Sequence, residues 1–342
     1  MNTTEPTEPM TRPVVPEMEA LIGKKIPCLG DQGWIMLVDY MGNDAAIVQA
    51  ARTSYGKGTK KLSEDEALIR YLMRNRHTTP FEMCELKLLV YVPMDAWRQW
   101  IRHRTASVNE YSTRYSIAID EAAITSWMDW RAQSKKNKQG SESIAGDMPW
   151  PEGFLEQEGI PENYQAAIGA GMTPGEYLSY REQNFLALAR EVYEERLEFG
   201  IAREQARKDL PLSTFTQAYW KIDLHNLLHF LGLRRNPHAQ KEIRDYAITI
   251  GDVFVKEWCP ATWQAYLDYR ENALYLSRME VQLLQVISQG GGLKDILAMA
   301  KAFGWLKRSH TSGKLLKNRE RSECGAKLVR LGFQIPWSNT DG

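Results

Sequence analysis

Three short runs with strand character, set between segments of helical period, predict an α/β (α+β) chain. The runs lie at 33–39, 86–92 and 212–222. Two departures from that alternation frame the architecture. Between Ile117 and Thr173 several prolines and Trp127, Trp130 and Trp150 break any period, which predicts a long surface insertion. After Asn272 the chain becomes helical and basic, and Gly290–Gly292 is its one convincing linker. The expected organisation is therefore a leader over 1–32, a main domain over 33–271 containing the insertion 117–173, and an extension over 272–342.

Taken in order, residues up to about Glu17 have no apolar periodicity and read as disordered. Asp44 caps a helix whose apolar face is Ala45, Ile47, Val48 and Ala51. Gly56–Thr59 lacks Walker spacing and reads as a turn. Ser63 and Glu66 have capping-box spacing and open a helix through Leu68, Ile69, Leu72 and Met73. Pro80 stops any helix before the second strand, because it pushes Thr79 to extended geometry. A helix from Met94 to Arg102 follows, then further helices over about 175–200 and 202–208. The third strand leads into a helix from Leu224 that Gly232 ends. The last helix of the main domain runs over 238–257 and is closed by Pro260; one more spans 274–287.

Composition excludes several classes. Hydrophobic content of 43% and charged content of 25% suit a globular chain, and zero formal charge leaves no global field for nucleic acid or membrane. Cys28, Cys84, Cys259 and Cys324 lie too far apart for a disulfide framework or a zinc ribbon, which favours a reducing compartment. No apolar run spans a bilayer, and the acidic, Pro/Thr-rich start is not a secretory signal, so a cytoplasmic location is expected.

The chemistry concentrates between Gln99 and Tyr115. Arg102-His103-Arg104 ends a helix, and Ser107, Asn109, Glu110, Ser112 and Arg114 follow. Guanidinium groups at this density offer bidentate anchors for phosphate or carboxylate, and the carboxylate and hydroxyls behind them can fix hydroxyl or amide groups of the same ligand. Arg102–Arg104 by itself is also what a solvated helix end looks like. His225 and His229, four apart, invite a metal, but no carboxylate or cysteine completes a ligand set, so none is expected. Ser112 has no neighbouring base or nucleophile elbow. Nucleic-acid binding has an electrostatic case only in the tail, where nine Lys/Arg face two Glu between Lys301 and Arg330.

Arg-His-Arg, seven residues, then Ser112 between Glu110 and Arg114 resembles the signature of flavin-dependent thymidylate synthases. Ala51–Tyr55, His77–Glu82, Ala206–Pro211 and Leu233–Gln240 resemble the same family in the same order. The resemblance implies a central mixed sheet flanked by helices, with 33–271 as the catalytic domain. It also implies a homotetramer with FAD where subunits meet, and conversion of dUMP to dTMP with methylenetetrahydrofolate as carbon donor and NAD(P)H as reductant. It assigns dUMP to Gln99, Trp100, Ile101, Arg102, Glu110, Tyr111, Ser112, Thr113, Arg114, Arg207 and Arg234. It assigns FAD to Ser54, His77, Thr79, Arg102, His103, Arg104, Glu110, Asp223, His225 and His229, with His238 beside the pocket. Arg234 is then the group that activates the uracil ring, with no enzyme nucleophile. Met83 and Asp223 depart from the family's usual histidine and asparagine, and an anionic Asp223 beside FAD would need a neighbouring cation. The competing readings are a nucleotide-binding flavoprotein of other chemistry and a nucleic-acid-binding protein that uses its basic tail.

Overall fold

The computed structural model describes residues 12–53, 62–134, 141–144, 148–156 and 160–338. Ser54, the Gly56–Thr59 turn and the Lys135–Gly140 run lie outside them. The chain forms two compact units, 1–271 and 272–342.

The first unit is built on a five-stranded sheet: β1 (Lys25–Pro27), β2 (Trp34–Met41), β3 (Glu85–Pro93), β4 (Ser107–Glu110) and β7 (Phe215–Asp223), in the order β1-β2-β3-β7-β4. Each of its ladders is antiparallel, so the mixed sheet expected from the sequence is antiparallel, with Ile22↔Leu37 as a lone parallel bridge. Strand β3 pairs along its whole length with β7 and is buried on both faces towards its end, which is why its run reads as almost continuously apolar. Strands β5 (Arg131–Gln133) and β6 (Ser141–Ile144) make a separate hairpin inside the insertion, which also carries the helix Glu162–Gly169.

Helices pack on the sheet around one aromatic cluster. Trp100 meets Trp220 edge-on at 5.2 Å and lies 5.2 Å from Phe230 and 5.6 Å from Tyr246. Such edge-to-face arrangements add to the burial energy of each ring. They fix the helix Met94–Trp100 against β7 and the helix Leu224–Arg234, and so set the path of the chain beyond Trp100.

Several boundaries differ from expectation, each for a local reason. The leader is shorter than 1–32: the helix Pro16–Glu19 puts Met18 fully into the core, and β1 extends the sheet. Gly232 does not end its helix, which continues to Arg234 with the glycine beside the Tyr266 hydroxyl. The expected helix over 238–257 starts at Lys241, loosens to a π-helical stretch over Ile250–Val255 and stops at Cys259. Pro260 opens the next helix, Pro260–Tyr266, at its first position, where a missing N–H costs nothing.

Among the described residues, no helix is long and apolar enough to cross a membrane.

The second unit has its own core of Leu283, Ile296, Ala300, Trp305, Cys324, Leu328 and Trp337. Its helices are Arg278–Ser288, Leu293–Ala302 and Arg319–Arg330.

Candidate active site

Strand β3 delivers the chain into the helix Met94–Trp100, whose first amides, of Met94 and Asp95, donate to the carbonyls of Thr214 and Leu212. The helix stops at Trp100, and the His103 amide reaches back to the Trp100 carbonyl at 3.0 Å. That turn places His103 edge-on to Phe230 at 4.9 Å and 6.2 Å from the ring of His229. Arg234, the last residue of its helix, meets it there. Arg234 Nε–H donates to His103 Nε2 at 2.9 Å, and an Nη–H donates to the Gln99 carbonyl at 3.2 Å.

An imidazole nitrogen that accepts from a guanidinium carries no proton. Burial and the charges of Arg234, His229 and Arg102 pull the His103 pKa down to about 4, so the ring is neutral at physiological pH. Burial, with Arg102 nearby, also holds the Arg234 pKa below the usual arginine range. Behind them runs a relay: Gln99 Nε2–H donates to Gln240 Oε1, and Gln240 Nε2–H donates to Asp95 Oδ2 at 2.8 Å. The cavity in front, about 550 Å³, is lined by Gln99, Arg102, Arg131, Arg234, Gln240 and Lys241 among others. Arg102, Arg131 and Arg234 converge there against one lining carboxylate, Glu242, and Lys241 beside them is paired with Asp245 at 2.7 Å, a balance that suits an anionic ligand.

The segment 110–114 lies elsewhere. Ser107–Glu110 is an exposed edge strand on β7, and Glu110 accepts from Thr216 Oγ1 at 2.8 Å. The Ser112 carbonyl closes a turn with the amides of Tyr115 and Ser116, while the Ser112 hydroxyl accepts from the Arg114 amide at 3.4 Å. Arg207 donates to Thr113 Oγ1, and Arg114 pairs with Glu204 at 3.0 Å. Glu110 and Tyr111 line a concavity of about 300 Å³ with Asn109 and Tyr219. The expected dUMP positions thus fall into two groups in one chain: Gln99, Arg102 and Arg234, and Glu110–Arg114 with Arg207. Trp100 belongs to neither, since its indole is buried in the core; Ile101 is exposed.

The histidines form a third group. Arg76 takes φ +58°, in the left-handed region a non-glycine residue rarely adopts, and the His77 amide bonds to the Leu72 carbonyl at 3.0 Å. This terminates the helix Leu62–Arg74 and directs His77 into a cavity of about 320 Å³ shared with His225, His229, Tyr266 and Arg270. Tyr266 closes the inner wall of this cavity, its hydroxyl buried beside Glu271. Thr79 lines an adjoining cavity with Thr53, Tyr71, His77 and Met83. Arg104 is exposed. His238 lines the cavity of Arg234 instead.

Asp223 caps the helix Leu224–Arg234: Oδ1 accepts from the Asn226 amide at 2.9 Å and Oδ2 from Asn226 Nδ2 at 2.6 Å. Aspartate and asparagine serve equally as N-caps, so the departure at this position leaves the helix start intact. Both oxygens are engaged by donors, which holds the carboxylate in place without cancelling its charge.

Sequence reasoning missed Asp95, Gln240 and Tyr266. The spacing of Asp95 and Gln99 within one helix, with Gln240 inside the last matched segment, was the only available signal.

The comparisons with known proteins agree with one another. Residues 36–261 match the family described as "Thymidylate synthase complementing protein". A flavin-dependent thymidylate synthase of Wolbachia pipientis wMel is 44% identical over 283 residues, covering 83% of this chain and 90% of that one. That of Gluconobacter oxydans is 47% identical over 268 residues, covering 78% and 80%. Among solved structures, a UMP/dUMP methylase PolB from Streptomyces cacaoi bound with 5-Br dUMP superposes with a TM-score of 0.54 at 28% identity, covering 69% of this chain and 95% of that one.

Proposed function

The chain belongs to the flavin-dependent thymidylate synthase family, and from that premise we propose how its own residues perform the reaction. The protein is a methyltransferase that converts dUMP to dTMP and uses FAD. Methylenetetrahydrofolate as carbon donor and NAD(P)H as reductant complete the proposed reaction. The single observation that carries the reading is the Arg234–His103 pair at the wall of the cationic cavity.

Carbon 5 of uracil must become electron-rich before it can capture a one-carbon unit. A thiolate added to carbon 6 is one means, and this chain offers none there. No cysteine lines the Arg234 cavity. Burial pushes the Cys28 thiol up to about 12 and Cys324 to about 11, and Cys84 and Cys259 are fully buried. The other means is a cation against N3 and its neighbouring carbonyl, which stabilises the deprotonated ring. Arg234 fills that role. Neutral His103 takes up its Nε–H and the Gln99 carbonyl one Nη–H, which fixes the guanidinium plane and leaves its other N–H groups for the pyrimidine. Arg102 suits the phosphate, with Lys241, paired to Asp245, beside it.

The residues of the third group fit FAD. His77, His225 and His229 surround the cavity, and Asp223 holds the helix that carries two of them. Bound there, FAD supplies the reducing equivalents. Because Glu110–Arg114 and Arg207 sit apart from Arg234, we read the dUMP site as completed by a second copy of the chain, consistent with a homotetramer whose FAD sites lie between subunits.

The test is tritium release from carbon-5-labelled dUMP by the purified protein, which should be yellow. Release that needs both the folate and NADPH supports the reading. A colourless protein that takes up no FAD, or a yellow one that never releases tritium, overturns it.

A further inference from the structure

None of the residues assigned to the reaction above lies in the unit 272–342, and the charge of that unit is lopsided. Eleven Lys/Arg stand against five Asp/Glu, and no acid occurs between Asp295 and Glu320. The acids are mostly consumed inside the unit. Glu280 is buried and held by Lys327 at 2.8 Å; Asp295 accepts from the Gly292 amide; Glu320 accepts from Trp305 Nε1 at 3.0 Å. The cations of the acid-free stretch, Lys301, Lys307, Arg308, Lys314, Lys317 and Arg319, are all exposed.

Three of them sit on one small device, and Lys317 directly follows it. Residues 307–316 form a hairpin: Ser309 N–H donates to the Lys314 carbonyl and Leu316 N–H to the Lys307 carbonyl, both at 2.8 Å, with Arg308 opposite Leu315. Its tip is Ser309-His310-Thr311-Ser312-Gly313, with Gly313 in the left-handed region. Arg321, in the first turn of the helix Arg319–Arg330, donates to the carbonyls of Trp305 and Leu316 and so ties the helix to the hairpin's base. Cations on both hairpin strands and at the helix start are thus held on a fixed frame.

We propose that this unit binds double-stranded nucleic acid through its phosphate backbone, with the hairpin 307–317 and the start of the helix at Arg319 as the contact surface. The proposal is independent of the catalytic reading. A lipid surface would ask for an amphipathic helix free to lay its apolar face in the bilayer. Here the three helices turn theirs into the unit's own core, through Leu283, Ile296, Ala300 and Leu328. Unpaired strands would ask for exposed aromatic platforms among the cations, whereas Trp305 and Trp337 are buried and the exposed Tyr275 and Phe333 belong neither to the hairpin nor to the helix start.

The experiment is fluorescence anisotropy of the full-length protein with a labelled DNA duplex of about twenty base pairs, with an RNA duplex of the same sequence and anionic vesicles as parallel arms. Five contacts, from Lys307, Arg308, Lys314, Lys317 and Arg319, give a slope of log K against log salt near −0.9 per phosphate, or about −4.5 in all. Affinity should therefore fall roughly 500-fold between 50 and 200 mM salt. The joint variant Lys307→Glu, Lys314→Glu, Lys317→Glu changes exposed side chains only, and should bring the slope to about −2 with dTMP formation intact. DNA or RNA binding with this behaviour supports the proposal, and the two duplex arms say which is preferred. No duplex binding in low salt, binding confined to vesicles, or a slope unmoved in the triple variant overturns it.

Discussion

Replacing Arg234 with alanine removes the group on which uracil activation rests. A cation within a few ångströms typically lowers a neighbouring pKa by about 1–3 units, and each unit is a tenfold change in the activated fraction. The variant should therefore lose roughly 10- to 1,000-fold in kcat/KM through this effect, before any loss of substrate binding. The structure adds two finer expectations. Arg234→Lys keeps a charge but loses the planar fork that bonds His103 Nε2 and the Gln99 carbonyl at once, so it should recover only part of the rate. Without the guanidinium the ring's N3 pKa returns upwards, so the alanine variant should gain activity as pH rises, by up to about tenfold per unit. The assay is tritium release across the alkaline range, with FAD content measured alongside. Full activity in Arg234→Ala, or a loss in a flavin-loaded variant that pH does not relieve, would refute the reasoning.

The same geometry sets four further outcomes. His103 has a folded pKa near 4 against an ordinary value of 6.5, so between those values the unfolded chain binds the extra proton and stability falls as pH drops. Denaturant midpoints should therefore decline from about pH 6.5 to about 4 in the wild type and less in His103→Gln; identical profiles would contradict the buried neutral imidazole. Asp223→Asn should unfold with the wild type and keep its flavin, while Asp223→Ala should cost about 1 kcal/mol in chemical denaturation, as loss of a helix cap does. If two chains build each dUMP site, co-expressing Arg234→Ala with Arg114→Ala should raise tritium release well above that of either variant alone; mixed assemblies no more active than the single variants would place both groups in one chain's site. Ser112→Ala should retain part of the wild-type rate, because its hydroxyl meets only the Arg114 amide, and a total loss would revive a nucleophilic serine.

Much of the sheet was legible because burial dictates residue type. Leu86, Leu88 and Val90 are fully buried in β3, and their run reads as a strand at sight. Strand β4 was not legible, since Ser107–Glu110 is exposed throughout and has no buried apolar face to mark it. The same gap explains the antiparallel sheet: pairing direction lives in long-range hydrogen bonds that no local pattern records. Pro260 misled for another reason, because a proline that cannot continue one helix is well suited to start the next.

At the site, the charged residues were legible by type and spacing, whereas their grouping was not. Arg234 stands 131 positions from His103 yet meets it through the packing of Trp100 on Phe230. Glu110–Arg114 looks continuous with Arg102 and His103 in sequence, but β4 carries it to the sheet edge. Trp100, expected at the substrate, is instead the core residue that holds the neighbouring turn in place. Tyr266 gave no sequence signal, since it meets the histidines' cavity only once the surrounding core has closed.

The most direct measurement is mass spectrometry of the whole protein after acid quenching during turnover with dUMP, folate and NADPH. Activation by Arg234 predicts a polypeptide of unchanged mass at every time point. A transient species heavier by one nucleotide, on a cysteine, on Ser112 or on any other side chain, would contradict it.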